Sequence, residues 1–291
     1  MLADPREILA DCEKRNYAIA GINTPTFDAA AGVLEAAEEL GWPVMIGLAE
    51  VHEEHAPIDS LGPMLHDLAL RSRARVILHL DHGRTMEYVM KAVRYGFTSI
   101  MYDCSDLPLE ENARRLREFA DMAHKLDIAV EGEVGQMPST ITDGRGCVEN
   151  GVSAEGDIEQ YFSDPAEVAR FVELSGVDMM AISFGNVHGD YVGEPKLDIP
   201  RLEKTHALSK CHLVMHGTTG VDDAQIRRAI DGGIRKFNYF TGIATAPTVP
   251  VKNLVNNAVG PLYVQEISDC CRKVIRQKAK EVMTLFRNGV E

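Results

Sequence analysis

The sequence predicts an α/β protein, a (β/α)8 or TIM barrel that takes residues 1–291 as one domain. Three observations carry that expectation. Eight short apolar or β-branched runs alternate with helical segments along the chain. The length of 291 residues is near that of one such barrel. Nearly every run ends on a polar or ionisable residue, as expected if the C-terminal strand ends share one functional rim.

The first run, Tyr17–Asn23, ends on Asn23. GINTPTF is not the Gly-rich fingerprint of an open dinucleotide-binding sheet, the structural alternative. AAAGVLEAAEEL then spaces apolar residues by three and four, with Asp28 as N-cap and Gly41 as stop. After the second run, Val44–Ala49, comes VHEEHA. Its His52 and His55 lack the H-E-x-x-H spacing of helical zinc proteases and read as a solvated loop. The third run, Val76–His82, ends on Asp81 and His82; TMEYVMKAVRYG follows, capped by Thr85 and stopped by Gly96. The fourth, Ser99–Asp103, delivers Asp103 and precedes LEENARRLREFADMAHKL. The fifth, Ala129–Val134, carries Glu131 and Glu133. The polar, Gly-rich stretch Gly135–Gly156 is long for a plain connection and reads as a functional lid or a disordered loop. DPAEVARFVELSG, between Asp164 and Gly176, leads to the sixth run, Met179–Ser183, with Asn186 and His188 just beyond. The seventh, His212–His216, runs into HGTTG and a helix starting near Asp222. The eighth, Arg235–Phe240, carries Asn238; Thr245–Gly260 reads as irregular before a long C-terminal helix.

The bulk numbers bound the function. With 45% hydrophobic and 25% charged residues, the composition is that of an ordinary globular protein. A formal charge of -14 argues against nucleic acid as a partner, though local dipoles still allow a small anionic substrate. No apolar run is long enough to span a membrane, and the N-terminus lacks the pattern of a secretory signal. Six scattered cysteines with no C-x-x-C pair read as reduced thiols in the cytoplasm.

His82, His188 and His216 fall at the ends of the third, sixth and seventh runs, each beside Gly or Asp. Three imidazoles on one rim can supply the three protein ligands of a catalytic zinc, with a fourth position left open. His66, His79, His124, His206 and His212 read as structural. HGTTG, with Gly217, Thr218 and Thr219, offers backbone N–H groups to an anion where barrels often bind phosphate. NYFT, from Asn238 through Tyr239 to Thr241, is placed to complete that cradle, and Asn23 faces the same rim.

VILHLDHG, SFGNVHG and VMHGTTG, in that order, resemble the signatures of class II ketose-phosphate aldolases, the family of fructose- and tagatose-bisphosphate aldolases. DCSDLPLEENARR, AVEGEVG, EPKLD and KFNYFT extend the similarity from Tyr17 to Thr241. The resemblance implies retro-aldol cleavage to dihydroxyacetone phosphate and an aldehyde. It implies Zn2+ on His82, His188 and His216, with Glu133 close to the metal and a monovalent cation as a further cofactor. Asp81 corresponds to the residue that takes the proton from the hydroxyl beside the scissile bond. Gly189, Gly217, Thr219, Asn238 and Thr241 match the positions that cradle the phosphate and ketone half. A homo-oligomer, dimer or tetramer, is implied as well.

The departures concern the substrate more than the reaction. Thr219 stands where the family commonly has Ser, and Val192 where a basic residue often follows the HG of the sixth run. D-G-S-H becomes D-C-S-D, with Cys104 and Asp106, and Ala49–Glu50 replaces a serine at the end of the second run. The family's lid glutamate has only Glu149 as a candidate, and no C-terminal D-P-R matches the anchor of a distal phosphate. These differences point away from a bisphosphate and toward a ketose 1-phosphate with another distal group. Arg84 and Arg145 read as solvated unless they meet a distal anion. Two alternatives use the same residues: a metal-dependent hydrolase in which Asp81 activates a zinc water, and a catalytically weakened aldolase homologue that binds without turnover.

Overall fold

The computed structural model describes residues 1–135, 137–139, 152–153, 158–189, 191 and 193–291. Eight parallel strands are β1 (Ile19–Asn23), β2 (Val44–Ala49), β3 (Val76–Gly83), β4 (Ser99–Tyr102), β5 (Ala129–Glu133), β6 (Met179–Ala181), β7 (His212–Met215) and β8 (Ile234–Asn238). They close in the order β1-β8-β7-β6-β5-β4-β3-β2, the expected (β/α)8 barrel. Two short strands, Pro138–Ser139 and Val152–Ser153, pair outside it. Parallel strands buried on both faces must be apolar almost throughout, which is why these runs stood out in the sequence.

The helices are α1 (Pro5–Arg15), α2 (Phe27–Leu40), α3 (Ile58–Arg71), α4 (Met86–Arg94), α5 (Leu109–Ala123), α6 (Pro165–Ser175), α7 (Ile199–Leu208), α8 (Asp223–Asp231), α9 (Thr241–Thr245), α10 (Thr248–Asn256) and α11 (Val264–Phe286). Thr85, Asp164 and Asp222 cap as expected, accepting first-turn N–H groups, and Gly41 and Gly176 end their helices in the left-handed region. Gly96, at φ +77, follows the end of α4. Asp28 is not a cap. Thr26 takes that place, its hydroxyl accepting from Ala29 N at 3.1 Å, and Asp28 lies inside the first turn. The stretch expected to be irregular, Thr245–Gly260, folds largely as α10. Pro250 sits in its first turn, where the missing N–H would have had no intrahelical partner. The long C-terminal helix is α11, which packs against α2.

The N-terminal face of the barrel is closed by ion pairs to α1. Arg6 Nε donates to Asp178 Oδ1 at 2.8 Å, and Arg235 Nε donates to Glu13 Oε2 at 2.8 Å. The loop Gly135–Gly156, and with it Glu149 and Arg145, lies almost wholly outside the described residues, as does Val192. No described helix is long and apolar enough to cross a membrane, and the five described cysteines are unbridged.

Candidate active site

Side chains alternate across a strand, so Asp81 and His82 would normally face opposite sides of β3. The local backbone prevents this. Pairing of β3 with β4 is regular through Leu80 and slips before Gly83, and His82 adopts φ +43 within the slip. A positive φ is uncommon outside glycine and is held here by the surrounding structure. Both side chains consequently end buried at the rim, with His82 Nε2 3.9 Å from Asp81 Oδ1.

His188, beyond β6, and His216, beyond β7, meet His82 there. His82 Nε2 is 3.0 Å from His216 Nδ1, and His188 Nε2 is 3.4 Å from the same atom. One ligand nitrogen from each of the three lies within 4.8 Å of the others, the only such group among the described residues. Two of the rings are held from behind. His82 Nδ1 lies 2.8 Å from Asp103 Oδ2, and His216 Nε2 lies 3.0 Å from Glu131 Oε1. Metal-ligating histidines characteristically carry such carboxylate partners, so the donor set fits a divalent cation. Burial disfavours a charged His82, yet Asp81 and Asp103 outweigh it and lift its pKa to about 9. A cation at this site therefore competes with a proton for the same lone pairs. His188 is driven well below the usual imidazole range by burial and by the charge of His82.

Asp81 is gripped from two sides. Asn23 Nδ2 donates to Oδ2 at 2.6 Å and Asn238 Nδ2 donates to Oδ1 at 2.9 Å. Burial opposes ionisation, but His82, His216 and Lys236 hold its carboxyl well below the carboxylate range. Glu133 behaves oppositely. Burial and the Asp103 carboxylate raise it to about 8, and its Oε2 has no hydrogen-bond partner among the described residues. It sits close enough to feel His82 but is not a member of the three-histidine group.

Asp81, His188, Gly189, His216, Gly217, Thr218, Thr219, Asn238, Phe240 and Thr241 line one cleft enclosing about 370 Å3, part of it open to solvent. Its described lining has hydroxyls, amides and imidazoles but no lysine or arginine. Gly217 is required by space as well as by its φ of +65, since a β-carbon there would stand 1.9 Å from the Val187 carbonyl oxygen. Thr219 Oγ1 accepts from Gly242 N at 3.1 Å, tying the HGTTG loop to α9.

Some expectations are corrected. Tyr239 lines a neighbouring cleft, between the HGTTG loop, α8 and α11, beside Lys278 and Glu281. Phe240, not singled out in the sequence, lines the cleft instead. His52 is not solvated but buried, with its ring centroid 4.7 Å from that of Phe240. Glu50 holds the segment leading into α4, accepting from Arg84 N at 2.6 Å and Thr85 N at 3.1 Å. Arg84 is partly exposed, its Nε 3.9 Å from Asp103 Oδ2. Cys104 is buried. His79 lies in the barrel interior, outside the three-histidine group. Lys236 was missed altogether. Its signal was a second cation beside Arg235, two residues before Asn238, in a strand buried on both faces.

Comparison with known proteins agrees with this geometry. The sequence profile of "Fructose-bisphosphate aldolase class-II" matches residues 3–289. The chain is 34% identical to the uncharacterized protein YdjI of Escherichia coli K12, over 98% of each chain. It is 31% identical to fructose-bisphosphate aldolase of Staphylococcus aureus, over 98% of this chain and 99% of that one. The crystal structure of the YdjI aldolase from Escherichia coli K12 superposes with a TM-score of 0.86 at 32% identity, covering 100% of this chain and 99% of that one.

Proposed function

The chain belongs to the class II fructose-bisphosphate aldolase family, and from that premise we propose that it performs zinc-dependent, reversible cleavage of a ketose 1-phosphate to dihydroxyacetone phosphate and an aldehyde. The observation that carries this reading is the pairing of a complete three-histidine donor set with a buried, doubly hydrogen-bonded Asp81 across one cleft.

His82, His188 and His216 would hold the zinc ion. When bound, it supplies Lewis-acid stabilisation of the negative charge that cleavage leaves on the ketone half. The chain's own groups do the rest. His82, His216 and Lys236 keep Asp81 ionised while Asn23 and Asn238 keep it aimed, so it is ready to accept the proton of the hydroxyl beside the scissile bond. That oxygen's electron pair forms the aldehyde carbonyl, the C–C bond breaks, and its electrons pass to the enediolate of the three-carbon half. The cradle of Gly189, Gly217, Thr218, Thr219, Asn238 and Thr241 would position the phosphate and ketone through backbone amides and hydroxyls. Glu133, with a buried oxygen that has no partner among the described residues, would meet the cation or the substrate. We read the distal group as something other than phosphate, because no distal phosphate anchor is recognisable in the sequence. The reading includes a cytoplasmic homo-oligomer; scattered cysteines with no C-x-x-C pair suit the reducing compartment.

A coupled assay for dihydroxyacetone phosphate across ketose 1-phosphates with different distal ends, with and without chelator, tests the proposal. Chelator-sensitive release from at least one ketose 1-phosphate, exceeding that from fructose 1,6-bisphosphate, is expected. Hydrolysis of esters or amides without any C–C cleavage would replace it with the hydrolase alternative.

A further inference from the structure

Beneath the three histidines the barrel interior is charged, where such barrels usually pack branched apolar side chains. Lys236, Glu131 and His79 lie two residues before Asn238, Glu133 and Asp81 on β8, β5 and β3. Strand alternation therefore points them into the barrel one layer below the site. Lys236 and Glu131 are fully buried. Lys236 Nζ donates to Glu131 Oε2 at 2.6 Å and to His79 Nε2 at 3.2 Å, and His79 Nδ1 is 2.8 Å from Ser99 Oγ. The other oxygen of Glu131 meets His216 Nε2 at 3.0 Å. β1 makes room for the lysine: a β-carbon on Gly21 would lie 3.0 Å from Lys236 Cε.

A buried ion pair is weak support for stability, because desolvation offsets its attraction and an apolar pair of the same volume serves as well. Its retention directly beneath the donor set calls for another reason, and the hydrogen bonds supply one. The ammonium anchors one oxygen of Glu131, leaving the other fixed against His216 Nε2. That contact turns the opposite nitrogen, Nδ1, toward His82 Nε2 and His188 Nε2. We propose that Lys236 is a positioning residue for the three-histidine site, setting the orientation of His216 through Glu131 and thereby the affinity for a divalent cation that Lys236 never touches. This rests on the reading of the three histidines as a cation site.

The test is a Co2+ titration of the full-length protein, following its visible d–d absorption and competition with a chelator, for the wild type and Lys236→Met. Far-UV circular dichroism confirms folding. Loss of the carboxylate partner of a ligating histidine typically weakens metal binding by about tenfold to a hundredfold, and Lys236, which fixes that carboxylate from one step further back, should reach the lower end of that range. The expectation is a loss of that size with an altered d–d band in a folded protein. Should Lys236→Met fail to fold, Lys236→Met with Glu131→Gln removes both charges together, and the same loss is expected. Affinity within about twofold of wild type and an unchanged band, in whichever variant folds, would overturn the proposal, since effects that small lie far below those of ligand-supporting groups. A wild type that takes up no Co2+ would instead overturn the cation reading beneath it.

Discussion

Two histidine clusters stand at opposite ends of this barrel, and their carboxylates set them apart. At the C-terminal rim, His82, His188 and His216 turn nitrogens toward one another, and their carboxylate partners, Asp103 and Glu131, stand behind the rings. At the N-terminal face, His206 and His212 approach Glu13, at 3.1 and 3.8 Å, but Glu13 is already engaged by the buried guanidinium of Arg235. At the N-terminal face the carboxylate lies between the rings and an arginine, and the described residues there bring no three ligand atoms together for a metal. A cluster whose nitrogens converge and whose carboxylates orient from behind is built to take one. Histidine count does not distinguish a site from a brace; the direction of the hydrogen bonds does.

Removing a rim histidine should break the comparison most severely. His216→Ala is expected to abolish divalent-metal binding and aldol cleavage while leaving the far-UV circular dichroism and most of the thermal stability in place, because the barrel core is made by other side chains. Global unfolding of this variant would show that the rim cluster is itself a brace. Next in size, Asp81→Asn should retain the metal and lose about a hundred- to ten-thousand-fold in kcat, the usual worth of a positioned acid/base. A parallel loss of metal would move Asp81 from proton transfer to ligation.

Predictions at the opposite end are smaller and of another kind. Glu13→Gln should leave turnover unchanged and cost about 1 kcal/mol of stability, the scale of a partly exposed ion pair. Burial raises the Glu13 carboxyl, but the hydrogen bond and charge of Arg235, with His206 and His212, bring it below its ordinary value. With the folded pKa depressed, the contribution is present above the unfolded pKa and lost as pH falls through the folded one. The gap in melting temperature between wild type and variant should therefore close as pH drops below about 4.5. A gap independent of pH would contradict the assignment. Smallest of all, Tyr239→Phe should change KM by no more than about threefold, less than one typical hydrogen bond, because the ring faces the neighbouring cleft.

Much of this was legible in the sequence, and the exceptions have physical causes. Strands buried on both faces are largely apolar runs, so all eight were found, with ends matched to within two residues. The rim histidines were legible because each follows such a run. Thr245–Gly260 was misread because its prolines look like helix breakers, although Pro250 falls in a first turn that tolerates it. Asp28 and Thr26 both have side chains able to cap, and only the backbone decides which one accepts from Ala29. His52 sits among glutamates in VHEEHA and looked solvated, yet Phe240, nearly two hundred residues away, covers it. Phe240 lines the candidate cleft and Tyr239 its neighbour because β8 ends at Asn238, and beyond a strand alternation no longer assigns faces. Lys236 was overlooked because a charge inside a barrel is the exception.

The most direct test of the central claim is the metal content of the gently purified protein, measured together with chelator-sensitive release of dihydroxyacetone phosphate, for the wild type and His216→Ala. The account predicts close to one divalent ion per wild-type chain, with activity that falls on chelation and returns with zinc, and neither ion nor activity in the variant. Full aldol cleavage in the presence of chelator, from protein holding no divalent ion, would contradict it.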